Sequence, residues 1–493
     1  MTSTPKIVVL GGGSAGFLSA LTFRKGLTDS DVTLICSLKH PVIGVGESTT
    51  RAVPLFLHNT LEIDRKSFYE AVQPIWKLGN RLEWGGSEGS HFNYPFDSFL
   101  LEKHPNLQKP NLYYCNEGMS DAGRYYSLMD QKRSPFFRQP DGRVTTNENF
   151  GYHIDNKRFL GFLENESIRQ RVEVIDADVN GVERSATGDV THLNLEDGRK
   201  IEGDLFVDCS GFGSLLLEKT CGAKYVSYTD TLFCDRAVVG SWPRDEELDP
   251  YTTTSTMQSG WCWRIGFRDK TTVGYVHASQ FCSESQATAE LLARHPQLTE
   301  DQLRVISFPC GRYDNFWMNN VVAIGNASGF VEPLEATALQ LITEQLRFVC
   351  KAYLDSNGNP PDMMRDIENR RYRWRWDEVR DFLAVHYKFN RQIDSPFWKH
   401  CREETQLGAA AEFVEYYQEV GPSMLASHLA PEPSIFGLEG YLTMLIGQQV
   451  PTKYVAHTTD RTNWNQYRES VRKEASTALS MDEAMQLMFP KKS

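Results

Sequence analysis

The pattern of apolar and polar residues at the start of the chain predicts a strand, a turn, a helix and a second strand. Residues 6–10 form a short apolar run, glycines dominate positions 11–16, residues 17–26 have a helix-like pattern, and residues 31–35 form another apolar run. Apolar runs of this length next to glycine are typical of buried parallel strands. The first forty residues therefore predict a β-α-β unit.

Two later apolar runs have the same character. They cover residues 203–208 and 321–325, and small residues follow each of them, at 209–211 and 326–329. Parallel strands bind ligands at their carboxyl ends, where small residues allow close approach. We therefore expect one discontinuous nucleotide-binding domain, assembled from residues 1–100, 150–225 and 300–345.

The segments between these pieces have a different pattern. Residues 261–267 and 272–277 are predicted to form a hairpin, in which alternation places Trp261 and Trp263 on one face with Ile265. A buried aromatic pair is also typical of an ordinary core. We assign a sheet-rich substrate region to residues 101–149 and 226–299, and a mostly helical C-terminal region to residues 346–493.

The composition is that of a folded, acidic, enzyme-sized protein. The 493 residues are 40% hydrophobic and carry a formal net charge of -12, which argues against a nucleic-acid-binding protein. The arginine-rich stretch 370–376 is accordingly interpreted as a salt-bridged amphipathic helix. The ten cysteines include no Cys-x-x-Cys pair, which predicts reduced thiols and no metal site. Because no apolar run of about 20 residues occurs, we expect a cytoplasmic protein that does not bind membranes.

The glycine turn matches the dinucleotide-binding fingerprint Gly-x-Gly-x-x-Gly. Its glycines are Gly11, Gly13 and Gly16, and Ser14 and Ala15 stand between the last two. In such a turn the backbone approaches a pyrophosphate, and the following helix directs its N-terminal amides toward it. A glycine turn that holds no ligand is the alternative interpretation.

The fingerprint lacks its usual ribose-binding acid. The second strand ends at Cys36 and Ser37 rather than at Asp or Glu, so Ser37 or a water molecule has to take that place. A second Gly-x-Gly-x-x-Gly turn does not occur, which indicates one bound dinucleotide and no site for a nicotinamide cofactor. The reducing equivalents must then come from another protein.

These features and five further motifs resemble the flavin-dependent halogenases of the tryptophan halogenase family. The motifs occur in the family's order, between about residue 5 and residue 455, and this ordered combination is more specific than any single motif. They are Val45-Gly46-Glu47-Ser48-Thr49, Trp76-Lys77-Leu78-Gly79, Asp208-Cys209-Ser210-Gly211-Phe212, Trp261-Cys262-Trp263-Arg264-Ile265 and Phe330-Val331-Glu332-Pro333-Leu334-Glu335-Ala336-Thr337.

The resemblance implies a fold and a reaction. The implied fold is α/β, with an FAD-binding Rossmann-like domain of the flavin monooxygenase type, an inserted β-rich substrate region and a helical C-terminal region. In the family, FADH2, O2 and a halide ion (chloride, bromide or iodide) generate hypohalous acid, which passes through a tunnel to an electron-rich aromatic molecule. A separate flavin reductase supplies the FADH2. The expected partners are this reductase and a small aromatic substrate, and a homo-oligomer is compatible with the same chemistry.

Four residues match the positions that carry the family's chemistry. Lys77 matches the lysine that binds hypohalous acid or becomes a haloamine, a task that suits a desolvated amine. Glu335 matches the glutamate that orients the halogenating species or accepts the proton lost on re-aromatisation. The backbone amides of Thr337 and Ala338 match the halide-binding positions. The alternatives are a surface position for Lys77 and a helix cap for Glu335.

The resemblance also implies which residues contact the flavin. Trp261, Trp263 and Ile265 match the wall of the tunnel that separates the flavin from the substrate. The implied FAD-binding residues are Gly11, Gly13, Ser14, Ala15, Gly16, Ser37, Gly46, Glu47, Ser48, Val179, Gly325, Asn326 and Leu339.

Three residues depart from the family's pattern. Ala336 replaces the usual Ser, Ala338 replaces the usual Gly, and Gly266 replaces the Pro that ends the Trp-x-Trp-x-Ile-Pro motif. A methyl group added beside the halide, and a ring lost near the tunnel, lead to the hypothesis that bromide or iodide is preferred over chloride.

The sequence leaves more than one prediction open for the aromatic substrate and for the type of reaction. The C-terminal aromatic and acidic residues 412–417 match those of enzymes acting on free tryptophan only loosely, which favours an indole, phenol or other small electron-rich arene. The alternative functions are an FAD-dependent aromatic monooxygenase (hydroxylase), which needs neither Lys77 nor Glu335, and a flavin-binding scaffold that has lost turnover.

Overall fold

The computed structural model of this protein describes most of the chain as two compact units. The described residues are 4–39, 44, 46–97, 118–146, 149–244, 246–430, 433–453 and 461–489. The first unit consists of residues 1–72, 154–228 and 308–377, and the second of residues 73–153, 229–307 and 378–493.

The first unit is built on a six-stranded sheet. Its strands, in spatial order, are Glu173–Asp176, Asp31–Cys36, Lys6–Leu10, Leu205–Asp208, Val321–Ala323 and Trp317–Met318. The first five run parallel, and the last pairs antiparallel with its neighbour. The apolar runs predicted from distant parts of the chain are thus neighbouring strands, which confirms a mixed α/β fold with a parallel sheet assembled from distant segments.

Helices and small sheets complete the first unit. The helices are Ser14–Gly26, Ala52–Leu55, Arg65–Val72, Asn156–Arg169, Ala338–Asp355 and the first part of Asp362–Phe389, with a π-helical turn at Phe56–Thr60 and 3-10 turns at Gly211–Gly213 and Gly325–Ala327. One small antiparallel sheet contains Val179–Arg184, Val190–Leu195 and Lys200–Glu202, and another contains Tyr225–Ser227, Gly311–Tyr313 and Gly329–Phe330.

The second unit is built on a seven-stranded sheet. Its strands, in spatial order, are Arg304–Ser307, Arg236–Pro243, Lys270–His277, Gly260–Gly266, Tyr251–Met257, Gly79–Glu83 and Phe92–Pro95. Gly260–Gly266 and Lys270–His277 pair antiparallel through a short turn, which confirms the predicted hairpin. One face of the sheet packs Cys262, Val273 and Tyr275 against Leu291 in an apolar core. The helix that covers this face is Glu284–Arg294.

Other elements of the second unit surround this sheet. Its helices are Arg124–Asp130, Pro396–Glu404, Ala410–Val420, Gly437–Gly447, Arg461–Ser476, Met481–Met488 and the last part of Asp362–Phe389. Three short strands, Arg133–Arg138, Val144–Thr146 and Ala478–Ser480, form a separate sheet, and Ile75–Lys77 pairs antiparallel with Gly151–Ile154.

The unit boundaries differ from those expected from the sequence. Residues 73–97 lie in the second unit because Gly79–Glu83 pairs in parallel with Tyr251–Met257, more than 160 residues later. Residues 346–377 lie in the first unit, and only the part of the chain after residue 377 belongs to the second. Both differences arise from long-range pairing and packing, which local apolar patterns do not encode. No helix in the described ranges is long and apolar enough to cross a membrane.

Candidate active site

The glycine turn of the first unit is fixed by close backbone contacts. Gly11 has φ of 126°, a conformation that side chains disfavour, and a Cβ at this position would overlap the carbonyl oxygen of Cys209. A Cβ at Gly16 would overlap the carbonyl oxygen of Gly11. Both glycines are therefore required to bring the first helix against the strand ends of the parallel sheet.

The next part of the turn fits the phosphates of a dinucleotide. Within the described part of the chain, no atom lies within 4 Å of the position that a Cβ would take at Gly13. Gly13 precedes the helix Ser14–Gly26, and the first turn of this fully described helix has no acidic residue. There is therefore free space beside Gly13, at the positive end of the helix, where a pyrophosphate can approach the N-terminal amides.

The ends of the two later strands lie beside this turn. Gly325 has φ of 68°, and a Cβ added to it would stand 2.9 Å from the Cβ of Ala15. Asn326 belongs to the same 3-10 turn and is half-buried, and Leu339 is buried in the first turn of the helix Ala338–Asp355. The structure thus brings these three predicted FAD-binding positions into the same unit as the glycine turn.

A buried carboxylate organises the second strand end. Asp208 accepts hydrogen bonds from the backbone N–H groups of Leu216 at 2.7 Å and Leu217 at 2.9 Å, and from the Ser210 N–H at 3.0 Å. Burial raises the pKa of Asp208, while these hydrogen bonds oppose the shift. This role of Asp208 was not predicted from the sequence, although an acid at the last position of a buried strand is a usable signal.

On the ribose side of the predicted site, the strand Asp31–Cys36 has no acid at its carboxyl end. Ser37 accepts a hydrogen bond from the Lys39 N–H at 3.3 Å, so its hydroxyl is held at the strand end. Asp176, which ends the neighbouring strand, stands directly opposite Cys36 and accepts a hydrogen bond from the Leu38 N–H at 3.1 Å. A carboxylate is therefore present at this sheet edge, supplied by a strand that the fingerprint does not include. Val179, the remaining residue predicted here, is half-buried and pairs with Leu195.

The Gly-Glu-Ser motif contains a carboxyl group, that of Glu47, with a raised pKa. Gly46 has φ of 90°, and Glu47 and Ser48 form a two-residue strand after it. Glu47 Oε1 accepts a hydrogen bond from the Asn156 side chain at 3.1 Å. Glu47 as a residue is half-buried, but its carboxyl group is surrounded by protein. This burial raises the pKa of the Glu47 carboxyl group to about 7. Glu47 therefore changes charge near neutral pH.

The predicted halide loop ends at a helix N-terminus. Glu335 is buried at 4% exposure, and Ala336 has φ of 55°, a left-handed conformation that is unusual for alanine. Thr337 is the N-cap of the helix Ala338–Asp355, and its side chain makes no capping hydrogen bond to the described residues. Because the cap position belongs to Thr337, the alternative that Glu335 is the cap is wrong.

Lys77 lies in the interior of the second unit. It ends the strand Ile75–Lys77, its relative exposure is 0%, and Gly151 stands directly opposite on the paired strand. The Lys77 Nζ lies 5.1 Å from the centroid of the Phe96 ring, within the range of a cation–π contact. The alternative of a surface lysine is therefore wrong.

A histidine that the sequence analysis missed lies near this lysine. His153 is fully buried, and its Nε2 is 2.8 Å from the hydroxyl oxygen of Thr252. Burial, and to a lesser extent the charge of Lys77, holds the pKa of His153 well below its usual range, so the imidazole is neutral at physiological pH. The signal for this residue, the alternation in Gly151–Ile154, was too short to be informative without its partner strand.

The Trp-x-Trp strand is buried as predicted. Trp261 and Trp263 have exposures of 1% and 5%, and Ile265 is buried beside them. Trp263 pairs with Gly274 on the neighbouring strand, and a Cβ at Gly274 would overlap the Trp263 indole. Glycine thus provides the space for one indole to lie across the sheet. Both the tunnel wall and an ordinary core remain compatible with this burial.

The predicted site residues fall into both units. The FAD-binding residues, Glu335, Thr337 and Ala338 belong to the first unit. Lys77, Trp261, Trp263 and Ile265 belong to the second. In the described residues, no group of three His, Cys, Asp or Glu side chains could hold a metal ion.

Comparison with known proteins identifies the protein family of this chain. The family model described as tryptophan halogenase matches residues 6–463. The chain belongs to the tryptophan halogenase family.

Members of the tryptophan halogenase family resemble this chain over most of its length. The tryptophan 7-halogenase KtzQ of Kutzneria sp. is 31% identical over 84% of this chain and 81% of its own length. The tryptophan 7-halogenase RebH of Lentzea aerocolonigenes is 29% identical over 84% of this chain and 82% of its own length. The crystal structure of MibH, a lanthipeptide tryptophan 5-halogenase, has a TM-score of 0.90 and 34% identity, and the match covers 98% of this chain and 93% of MibH.

This tryptophan halogenase homologue is therefore a flavin-dependent oxidoreductase. It uses FADH2 and halide to halogenate an aromatic substrate, and the comparisons support this reaction rather than hydroxylation. Flavin-dependent halogenases receive their reduced flavin from a separate reductase. The glycine turn described above has the geometry that FAD binding requires.

Proposed function

We propose that this halogenase acts on the indole ring of tryptophan and that Lys77 delivers the halogen. The observation that carries the proposal is the complete burial of the Lys77 side chain. A lysine in the interior costs stability, because its charged form loses hydration. Such a position is typical of a lysine that performs chemistry, and Lys77 occupies it within the family's Trp-Lys-Leu-Gly motif.

The surroundings of Lys77 support this role. The Phe96 ring offers a π face to the amine, and His153 contributes a polar ring without adding positive charge. The amine is thus surrounded by protein and has no exposed surface. An amine in such a place can hydrogen-bond hypohalous acid or form a haloamine, and it can then transfer the halogen to an electron-rich ring.

The first unit supplies the residues that we assign to the flavin and the halide. Gly11, Gly13 and Gly16 would hold the pyrophosphate of the flavin. When bound in its reduced form, FADH2, the flavin would supply the electrons that activate oxygen for the oxidation of halide. The backbone amides of Thr337 and Ala338 would bind halide at the N-terminus of the helix Ala338–Asp355, because a helix start attracts anions. Glu335, buried just before that helix, would accept the proton that the aromatic ring loses.

The comparisons favour tryptophan among aromatic substrates. The names of KtzQ, RebH and MibH all specify tryptophan, and MibH acts on a lanthipeptide. The MibH structure matches this chain at 34% identity, whereas the Tar14 tryptophan 6-halogenase structure matches at 27%. We therefore propose that the indole is part of a tryptophan residue in a peptide.

A reconstituted reaction tests this function. The protein is incubated with FAD, a generic flavin reductase, NADH and bromide, and separately with a tryptophan-containing peptide, free L-tryptophan and phenol. We expect the isotope pattern of a monobrominated indole in the peptide. Bromination of free tryptophan alone would contradict the peptide assignment, and bromination of phenol alone would contradict the indole assignment.

A further inference from the structure

Lys77 and His153 lie on the same face of two neighbouring antiparallel strands. In the antiparallel pair of Ile75–Lys77 with Gly151–Ile154, Lys77 is opposite Gly151 and Ile75 is opposite His153. Residues directly opposite one another, and residues two apart in a strand, point to the same side. His153 is therefore the diagonal neighbour of Lys77, across a position where glycine provides no side chain.

The His153 ring also contacts a residue of a second sheet. Its Nε2 lies 2.8 Å from Thr252 Oγ1. Thr252 belongs to the strand Tyr251–Met257, in which Thr254 is opposite Trp263. Thr252 and Thr254 are two residues apart, so both share the sheet face that carries the Trp263 indole. A single hydrogen bond thus connects the neighbour of Lys77 to the face of the Trp-x-Trp strand.

We propose that His153 is a positioning residue for Lys77, and that Thr252 fixes the His153 ring so that it holds the lysine amine in place. The proposal rests on the proposed function, in which Lys77 transfers the halogen. Lysine has four rotatable side-chain bonds, and Gly151, directly opposite, has no side chain that could hold the amine. The His153 ring lies diagonally across the strand pair and the Phe96 ring lies 5.1 Å from the Lys77 Nζ, so both rings can restrict the amine.

The chemistry of imidazole suits this task. A second cation beside Lys77 would repel the ammonium group, but burial and the lysine charge keep His153 neutral. Its second ring nitrogen, Nδ1, is buried and has no hydrogen-bond partner among the described residues. A buried polar atom without a hydrogen bond costs stability. The Nδ1 atom is therefore available to form a hydrogen bond with a group that is present only during the reaction. An apolar side chain at position 153 would fill the space without offering such an atom.

Paired substitutions at Thr252 test the proposal. Thr252→Val keeps the shape of the side chain and removes the hydroxyl, whereas Thr252→Ser keeps the hydroxyl. We expect Thr252→Val to lower bromination at least about 10-fold, the scale of a misplaced reacting group, and Thr252→Ser to retain most of it. Flavin reoxidation should continue in both variants. Bromide oxidised but not transferred should then escape as hypobromous acid, which is measured with monochlorodimedone as a trap. Equal bromination and equal escape in both variants would overturn the proposal.

Substitutions at His153 provide a second measurement. His153→Gln places an amide near the former Nε2 and keeps a group that can bond Thr252, whereas His153→Phe keeps only the ring. We expect His153→Gln to be more active than His153→Phe, with kcat lowered more than KM is raised. Far-UV circular dichroism and FAD fluorescence verify that both variants fold and bind flavin. Equal activity of the two folded variants would contradict the polar role of position 153.

The double variant Lys77→Ala/Thr252→Val separates this proposal from the proposed function. If His153 acts through Lys77, adding Thr252→Val to Lys77→Ala should change neither residual bromination nor escape. If Lys77→Ala alone retains bromination, the halogen-transfer role of Lys77 is wrong and the positioning role fails with it. If Lys77→Ala abolishes bromination while Thr252→Val behaves like wild type, only the positioning role is wrong.

Discussion

Lys77 stands directly opposite Gly151 in an antiparallel pair of short strands. The residue across the strand pair therefore has no side chain, and Lys77 is fully buried. The ladder sets the direction of the side chain, because Ile75–Lys77 has fixed hydrogen-bonded neighbours. This combination of burial and fixed direction is what a reactive amine requires.

Replacing Lys77 should separate halogen transfer from flavin chemistry. Lys77→Ala is expected to abolish bromination of the indole, while FAD still binds and is still reoxidised, because the lysine acts after the halide is oxidised. Lys77→Arg should also be inactive, since a guanidinium keeps the charge but is a poor nucleophile. Mass spectrometry of the product and absorbance of the flavin measure the two effects.

The control for this experiment is Lys66→Ala, which removes an exposed lysine from the helix Arg65–Val72. It should behave like wild type. Bromination by Lys77→Ala at the rate of this control would disprove the role of Lys77.

Glu335→Gln should slow the reaction without unfolding the protein. We expect product formation to fall about 10- to 100-fold, as is usual for a lost acid–base group. The carboxamide is nearly isosteric, and the N-cap of the adjacent helix is Thr337, so the melting temperature should change little. Single-turnover kinetics and thermal unfolding are measured together. Wild-type turnover, or slower turnover that only follows a lower melting temperature, would remove Glu335 from the mechanism.

The halide preference depends on the loop before the helix Ala338–Asp355. Ala336 and Ala338 stand where the family usually has Ser and Gly, and the φ of 55° at Ala336 shows that this loop is tightly turned. The extra methyl group at Ala338 should favour the larger and more weakly hydrated halides. In a competition at equal concentrations of chloride, bromide and iodide, we expect brominated or iodinated product to dominate.

The double variant Ala336→Ser/Ala338→Gly restores the residues that are usual in the family, and it should increase the share of chlorinated product. Chlorinated product as the main species from the wild-type protein would show that the hypothesis is wrong.

Glu47 should make stability depend on pH near neutrality. The pKa of Glu47 is raised to about 7 in the folded protein, so the protonated form is favoured by folding. Its stabilising contribution is fully present below the ordinary glutamate pKa and is lost as the pH rises through about 7. In the absence of flavin, Glu47→Gln should therefore be more stable than wild type at pH 8, by about 1–3 kcal/mol, and similar to it at pH 4.5.

Thermal unfolding at the two pH values measures this difference. Glu70→Gln, a change on the exposed side of the helix Arg65–Val72, serves as the surface control. If Glu47→Gln and wild type differ in stability by the same amount at both pH values, the pKa of Glu47 is not raised in the folded protein.

The sequence was sufficient for the features that depend on local spacing. Gly11, Gly13 and Gly16 identified the nucleotide turn, because a close backbone approach can be read from glycine positions alone. The strands after it followed from apolar runs, and the hairpin of Trp261 and Trp263 followed from alternation. The order of the motifs was enough to identify the family correctly.

Other features depended on residues distant in the chain. The boundary at residue 72, instead of about 100, results from the pairing of Gly79–Glu83 with Tyr251–Met257. The same kind of pairing places Asp176 beside Cys36 at the sheet edge, where the fingerprint contained no acid. A single strand does not specify its partner, so these relationships were not available from the sequence.

The sequence by itself determined the nucleotide turn, the family and the identity of the candidate lysine, because each is carried by a few residues close together in the chain. The tertiary structure decided that Lys77 is buried, that Gly151 stands opposite it and that His153, fixed by Thr252, lies beside it. The physical reason is that desolvation and side-chain contacts arise from packing between strands that are far apart in the chain, as in the strand pair of Lys77 with Gly151 and the hydrogen bond between His153 and Thr252, which are 99 residues apart.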